Sequence, residues 1–249
     1  MKHGYKFSTI VVGVGLATLL ILPSTGFGQT LGSAASYAVL AGSTITNTGA
    51  TTIVGDVGVS PGTEITGLPA GQPTEGVIHA GDAAAETAQA DLTTAYDFLA
   101  GMTCTTVNTG VDLGGKTLTP GVYCYASSAP MTGTLTLDAK GDSAAVFVFQ
   151  IGSTLLVADG SAVNLVNGAR ASNVWWQVGS SATLGIASAM QGNICAYASI
   201  TFTTGATLTG RALARIEAVT LEGNAITGIP DHVTATITSS WGAIKSMYR

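Results

Sequence analysis

The strongest constraint on this chain is a short phrase that returns through its C-terminal half: an apolar or small residue, a Thr, then another apolar residue. It reads Leu135-Thr136-Leu137, Ala182-Thr183-Leu184, Ile200-Thr201-Phe202 and Val219-Thr220-Leu221. Successive side chains of a strand point to opposite faces, so the flanking residues turn into a core and each Thr turns to solvent. The phrase is the second member of a three-part repeat. The first member is bulky: Val122-Tyr123-Cys124-Tyr125, Val146-Phe147-Val148-Phe149, Val174-Trp175-Trp176-Gln177, Ile194-Cys195-Ala196-Tyr197 and Arg211-Ala212-Leu213-Ala214. The third is weaker: Val163-Asn164-Leu165, Ala189-Met190-Gln191, Thr207-Leu208-Thr209 and Ala225-Ile226-Thr227. Gly, Asn, Asp and Ser fill the gaps, as tight corners require.

Spacing turns this repeat into an architecture. Thr136 to Thr154 and Thr183 to Thr201 are each 18 residues apart, and Thr201 to Thr220 is 19. Equivalent residues therefore return once per coil. Thr154 to Thr183 is 29, which predicts an insertion around Ala158 to Ser172. Three short strands per turn, stacked turn on turn, describe a mostly β solenoid of triangular cross-section. A β-sandwich also places strands about 8 to 12 residues apart, but it would not keep three strand types in fixed order.

One stretch breaks the β texture. Residues 81–100 are Ala-rich and put Ala85, Ala88, Leu92, Tyr96 and Leu99 at spacings of three and four, one apolar stripe on a helix. Asp82 and Glu86 stand near its start and Gly101 follows its end. Residues 55–79, rich in Gly and Pro, are expected to cap an open end of the solenoid, which otherwise exposes strand edges. The boundaries that follow are 1–28 for a signal peptide, 29–230 for the solenoid domain and 231–249 for a tail containing Trp241, Ile244, Met247 and Tyr248.

The N-terminus reads as an export signal: Lys2 and Lys6, an apolar run from Ile10 to Leu22, and Gly26-Phe27-Gly28 before Gln29. No later segment reaches the roughly 20 apolar residues that span a bilayer. A secreted protein with three cysteines has at most one pair, and Cys104 with Cys124 is the expected one. Cys195 reads as a small buried hydrophobe.

Composition narrows the chemistry. Charged residues make up 9% of the 249, against about 25% in ordinary soluble domains, and the net charge is −5. A surface so poor in cations is not built to bind nucleic acid through phosphates. Metal-ligand spacing is absent, no cofactor is implied, and His79 and His232 are the only histidines past the signal. Glu217 and Glu222 with Arg211 and Arg215 are the nearest approach to a catalytic cluster, and they read as solvated charges at the last coils. Gly152-Ser153-Thr154 and Gly179-Ser180-Ser181 are turns without a nucleophile-elbow pattern. The chain therefore reads as a binding protein, not an enzyme.

The outward positions of the second phrase are the candidate site: Thr134, Thr136, Thr154, Ser181, Thr183, Ser199, Thr201, Thr203, Ala218 and Thr220. All are small. Strands stack about 4.8 Å apart, and alternate residues along a strand lie about 6.6 Å apart, so these side chains form a two-dimensional grid. Hydroxyls on such a grid can anchor ordered water, and methyl groups favour cage-like water around them. Leu156 and Glu222 fall at outward parity and interrupt the row, and Thr207, Thr209 and Thr227 of the third phrase offer a rival face.

Five separated stretches, Tyr37-Ala38-Val39-Leu40-Ala41-Gly42-Ser43, Gly55-Asp56-Val57-Gly58-Val59-Ser60-Pro61-Gly62, Leu118-Thr119-Pro120-Gly121-Val122-Tyr123, Val146-Phe147-Val148-Phe149-Gln150 and Gly210-Arg211-Ala212-Leu213-Ala214, resemble the microbial ice-binding protein family with a discontinuous β-solenoid. The resemblance covers residues 31–229. It implies a right-handed solenoid with one long helix alongside, a first coil stacked on the last, and a second face that adsorbs to ice and its ordered water. The Thr, Ala or Gly, any residue, Thr or Asn pattern of the family is loose here: Ala198-Ser199-Ile200-Thr201 and Glu217-Ala218-Val219-Thr220 keep only the final Thr. Thr44 with Thr46, or Asn47, would extend the face depending on strand parity. A secreted monomer that inhibits ice growth and recrystallisation is expected. The alternatives are a cell-surface adhesin or carbohydrate-binding module, then a polysaccharide-active enzyme.

Overall fold

The bulky phrase is bulky because its strands are covered on both sides. In the computed structural model, which describes residues 31–229, these strands face the solenoid interior on one side and a helix on the other. Strands buried on both faces lose the polar half of their alternation. Phe147, Phe149, Trp176 and Ile194 point into the interior cluster, while Val122, Val148, Trp175, Cys195 and Leu213 point into a second cluster beneath the helix. Tyr123, Phe149 and Trp176 stack coil on coil, with ring centroids 5.5 and 4.1 Å apart.

After a 3-10 turn (Gly32–Ser36), the first coil among the described residues is made of β1 (Tyr37–Ala41), β2 (Thr44–Thr48) and β3 (Thr52–Val54), followed by β4 (Asp56–Val59), β5 (Glu64–Thr66) and β6 (Ile78–Ala80). Helix α1 (Ala83–Ala100) comes next, then two short strands, β7 (Thr106–Val107) and β8 (Thr117–Leu118). The main stack follows: β9 (Gly121–Tyr125), β10 (Ala129–Met131) and β11 (Thr134–Asp138); β12 (Phe147–Ile151), β13 (Leu155–Val157) and β14 (Ala162–Val166); β15 (Val174–Val178) and β16 (Ala182–Leu184). It ends with β17 (Ala189–Ala196), β18 (Ile200–Phe202), β19 (Thr207–Ala214), β20 (Val219–Glu222) and β21 (Ala225–Thr227).

All the strand pairings are parallel, and they make three faces. The first, under the helix, runs β6-β4-β1-β19-β17-β15-β12-β9-β7, and the second β10-β13-β16-β18-β20-β2-β5. The third runs β8-β11-β14-β17-β19-β21-β3. Strands β17 and β19 serve two faces each, turning from the third into the first without a loop. Gly192 (φ +107°) and Gly210 (φ +153°) make that bend, and a Cβ on Gly210 would sit 1.9 Å from the Gly192 carbonyl oxygen. Only glycine fits there.

The first coil does not stack on the next in sequence alone. β1 pairs with β19, β2 with β20 and β3 with β21, so the N-terminal coil closes onto the last one. Residues 55–79 are more regular than their composition suggests: β4 and β5 lie on β1 and β2 as a further coil that ends the stack. Helix α1 then carries the chain back along the first face. Asp82 caps it by accepting from the Ala85 N–H at 2.9 Å, and Ala85, Ala88, Leu92, Ala95, Tyr96 and Leu99 are buried beneath it. At its end the Gln150 amide donates to the carbonyls of Leu99 (2.7 Å) and Ala100 (3.3 Å) in the last helical turn and to that of Met102 (2.8 Å) just beyond it.

Coil lengths differ from the spacing read off the sequence. Pro130, Leu156 and Thr183 are partners on adjacent strands, so the early coils are 26 and 27 residues long, and only later coils approach 18. The stretch 158–172 contains β14, so only its later part is extra, and the preceding coil carries extra residues too. They sit where the third face turns into the first, after β11 and after β14.

Cys104 and Cys124 are bonded, joining the segment after α1 to β9. Cys195 is free and buried, and burial pushes its thiol up to about 12. Among the described residues no helix is long and apolar enough to cross a membrane. The expected signal peptide, His232 and the tail lie outside the described residues.

Candidate functional site

The second face is built by alternation. Leu155 and Val157, Ala182 and Leu184, Ile200 and Phe202, and Val219 and Leu221 are all buried in the interior. The residue between each pair must therefore point outward, and a one-residue slip would bury the hydroxyls and expose the core. Register places Pro130, Leu156, Thr183, Thr201, Thr220, Thr46 and Thr66 side by side along the sheet. Five threonines thus occupy one row on five adjacent strands. Their hydroxyls have no hydrogen-bond partner among the described residues, so they are available to water.

A flanking row runs beside it: Thr154, Ser181, Ser199, Ala218 and Thr44. Ser199 Oγ donates to Ser181 Oγ at 2.9 Å, across a sequence separation of 18. On the other flank Thr203 Oγ1 donates to the Leu184 carbonyl at 2.7 Å, so this hydroxyl is held by the protein. Charge is confined to the margins. Glu64 stands beside Thr44 on the end strand, and Glu222 beside Thr48 where the face meets a corner. At the opposite end the row turns apolar with Pro130 and Leu156, the latter 46% exposed.

Two predicted residues are not on this face. Thr134 and Thr136 belong to β11, which pairs with β8 and β14 on the third face, where Thr136 neighbours Thr117 and Asn164. The second-face strand of that coil is β10, Ala129-Pro130-Met131. Pro130 removes a ladder donor and hides the strand from sequence reading, yet it is tolerated because β10 is an edge strand. A turn at Thr132-Gly133 (Gly133 φ +84°) then sends the next Thr phrase to the third face.

Thr66 is the addition to the row, beside Thr46. Thr46 was one of two parities open for its strand, and the structure settles it: Thr44 and Thr46 point outward while Asn47 is buried. Thr66 lies in a segment with no visible period. Nothing in the local sequence marks Thr66 as part of the row, because its place depends on the first coil closing on the last.

Other candidates do not converge. Arg211 is buried, its guanidinium donating to Ala35 O (2.8 Å), Asn193 Oδ1 (2.8 Å) and Ile229 O. Arg215 lies 4.5 Å from the Tyr96 ring centroid and 3.5 Å from Asp97, fastening the helix. Among the described residues no cluster of His, Cys, Asp and Glu could hold a metal. Trp176 is wholly buried and Trp175 nearly so, which leaves neither as a stacking platform.

Comparison with known proteins agrees with the geometry. A family model for ice-binding-like proteins matches residues 39–227. An ice-binding protein from Nostoc sp. is 46% identical over 227 residues, covering 91% of this chain and 84% of the relative. The crystal structure of an ice binding protein from an Antarctic biological consortium superposes with a TM-score of 0.77 at 51% identity, over 80% of this chain and 90% of that one. That of an ice-binding protein from the Antarctic ascomycete Antarctomyces psychrotrophicus also gives 0.77, at 44% identity over 81% and 98%.

Proposed function

We propose, from the premise that this chain belongs to the ice-binding-like family and binds ice, that it does so through the second face, with Thr46, Thr183, Thr201 and Thr220 at the centre of contact. The observation that carries this reading is the row of threonines on adjacent strands whose hydroxyls have no partner among the described residues. Each Thr offers one hydroxyl to anchor a water and one methyl that keeps neighbouring waters bonded to each other. A β-branched side chain has little χ1 freedom to lose, and a ladder-bound backbone has less, so the cost of ordering on binding is small. A carboxylate or ammonium in the row would orient water about itself and break the lattice match.

Adsorption at spaced points limits growth. Ice advancing between bound molecules must bulge, curved ice has a higher free energy than flat ice, and growth stops until the temperature falls further. The same pinning slows recrystallisation. The protein is read as an exported binding protein with no catalytic role. Among the described residues, the outward positions of this face carry no aromatic side chain, so a carbohydrate ring finds nothing to stack on. Partition into slowly grown ice tests the reading. The intact protein is expected to enter the ice and a Thr183→Tyr variant to stay in the liquid; equal partition of the two would move the contact elsewhere.

A further inference from the structure

The row of threonines is crossed by a seam. Thr183, Thr201 and Thr220 follow one another from coil to coil, but Thr220 and Thr46 are neighbours only because the first coil closes on the last. No turn joins β20 to β2, so the covalent chain does not set the angle between the two parts of the face. Their alignment rests on what holds the two ends of β2. At the end nearer the first face the backbone does this alone. The Gly42 and Ser43 N–H groups donate to the Glu217 carbonyl at 3.0 and 3.2 Å, and a Cβ on Gly42 would lie 2.5 Å from the Arg215 carbonyl oxygen.

At the other end side chains join in. Asn47, Thr51 and Asn224 are buried there, where the second face bends into the third. Thr51 Oγ1 accepts from the Asn224 N–H of the last coil at 3.0 Å and donates to Asn47 Oδ1 of the first. From Asn224 the network runs one coil back: its Nδ2 donates to Thr203 O (2.8 Å) and Ala206 O (3.0 Å), and its Oδ1 accepts from the Glu222 N–H. From Asn47 it runs one coil on, Nδ2 donating to Gly67 O at 2.8 Å, directly after Thr66. The coils of Thr201, Thr220, Thr46 and Thr66 are thus tied at one corner, and the Thr51 hydroxyl is the side-chain link across the seam. A buried polar network whose members are all paired is satisfied in one arrangement and penalises others.

We propose that Thr51 is a positioning residue for ice binding: its hydroxyl, held between Asn47 and Asn224, keeps the two parts of the threonine row in one plane. This rests on the second-face reading above. A crystal surface does not bend to meet the protein, so a tilt at the seam leaves one part of the row in contact and lifts the other away. Thr51→Val keeps the shape of the side chain and removes the link, whereas Thr51→Ser keeps the link. Thermal hysteresis is measured for both, beside Thr201→Tyr and a Cys104→Ala, Cys124→Ala double variant that loses stability away from the row, each first shown to keep the circular dichroism spectrum of the intact protein in the cold. Thr51→Val is expected to lose most of its hysteresis, while Thr51→Ser and the double variant retain theirs, which separates alignment of the row from stability. Should Thr51→Val not fold, Thr51→Ala takes its place with the same expectation. Full hysteresis in the folded variant without the hydroxyl, or an equal loss in Thr51→Ser or in the double variant, overturns the role of Thr51. Full hysteresis in Thr201→Tyr overturns the second-face reading itself, and the positioning role with it.

Discussion

A threonine on the central row points outward because the residues on either side of it are buried, and this much is written in the local sequence. Thr183, Thr201 and Thr220 were legible for that reason. Thr134 and Thr136 carry the same alternation and belong to another face, since alternation tells inside from outside and not one side of a triangle from another. Single residues also fix the corners. Asp138, at the end of β11, accepts from the Lys140 ammonium at 2.8 Å and from Asn167 at 2.8 Å, binding one coil's bend to the next. The Lys140 hydrogen bond first, and Asn167 after it, hold the Asp138 pKa down at about 2, below its ordinary value of 3.8. A carboxyl depressed on folding adds stability that is present above the ordinary value and is lost as the pH falls through the depressed one. Thermal unfolding of the intact protein and Asp138→Asn is therefore expected to show a gap near pH 5 that closes between about pH 4 and pH 2. A gap independent of pH would contradict this role for the carboxylate.

At the scale of elements, the helix and the first-face strands announce themselves by opposite signs. The helix shows a 3.6-residue stripe because only one side of it is covered, and the strands under it show continuous bulk because both of theirs are. What the sequence hid were strands whose pattern is broken by other demands. Pro130 breaks β10, and the turn-rich composition of residues 55–79 conceals β4 and β5, whose partners are found by stacking and not by their own hydropathy. The covalent link belongs to this scale. The Cys104–Cys124 bridge, with a sequence separation of 20, restricts the unfolded chain and contributes on the order of 3 kcal/mol. It joins the segment after the helix to the first face, away from the threonine row. Replacing both cysteines with Ala is expected to lower stability in urea by about that amount while leaving partition into ice near 0 °C unchanged. Loss of ice partition in a variant that is still folded would place the bridge in the binding machinery.

The molecule as a whole makes the site larger than any stretch of its sequence. Closure of the first coil on the last puts Thr46 beside Thr220 and Thr66 beside Thr46, so residues far apart in the chain finish one row. Early coils of 26 and 27 residues stack in register with later ones of 18 because their extra residues are set at a bend, off the second face. The core, the helix and the closure all serve to hold a flat, nearly uncharged surface still. Thr201 lies on β18, the middle strand of the seven, where a bulky ring would lift the whole plane off a crystal without touching the interior. The thermal hysteresis of Thr201→Tyr is therefore the most direct test. It is expected to fall to a small fraction of the intact protein's value while the circular dichroism spectra superimpose, and hysteresis retained in full by the folded variant would contradict the account.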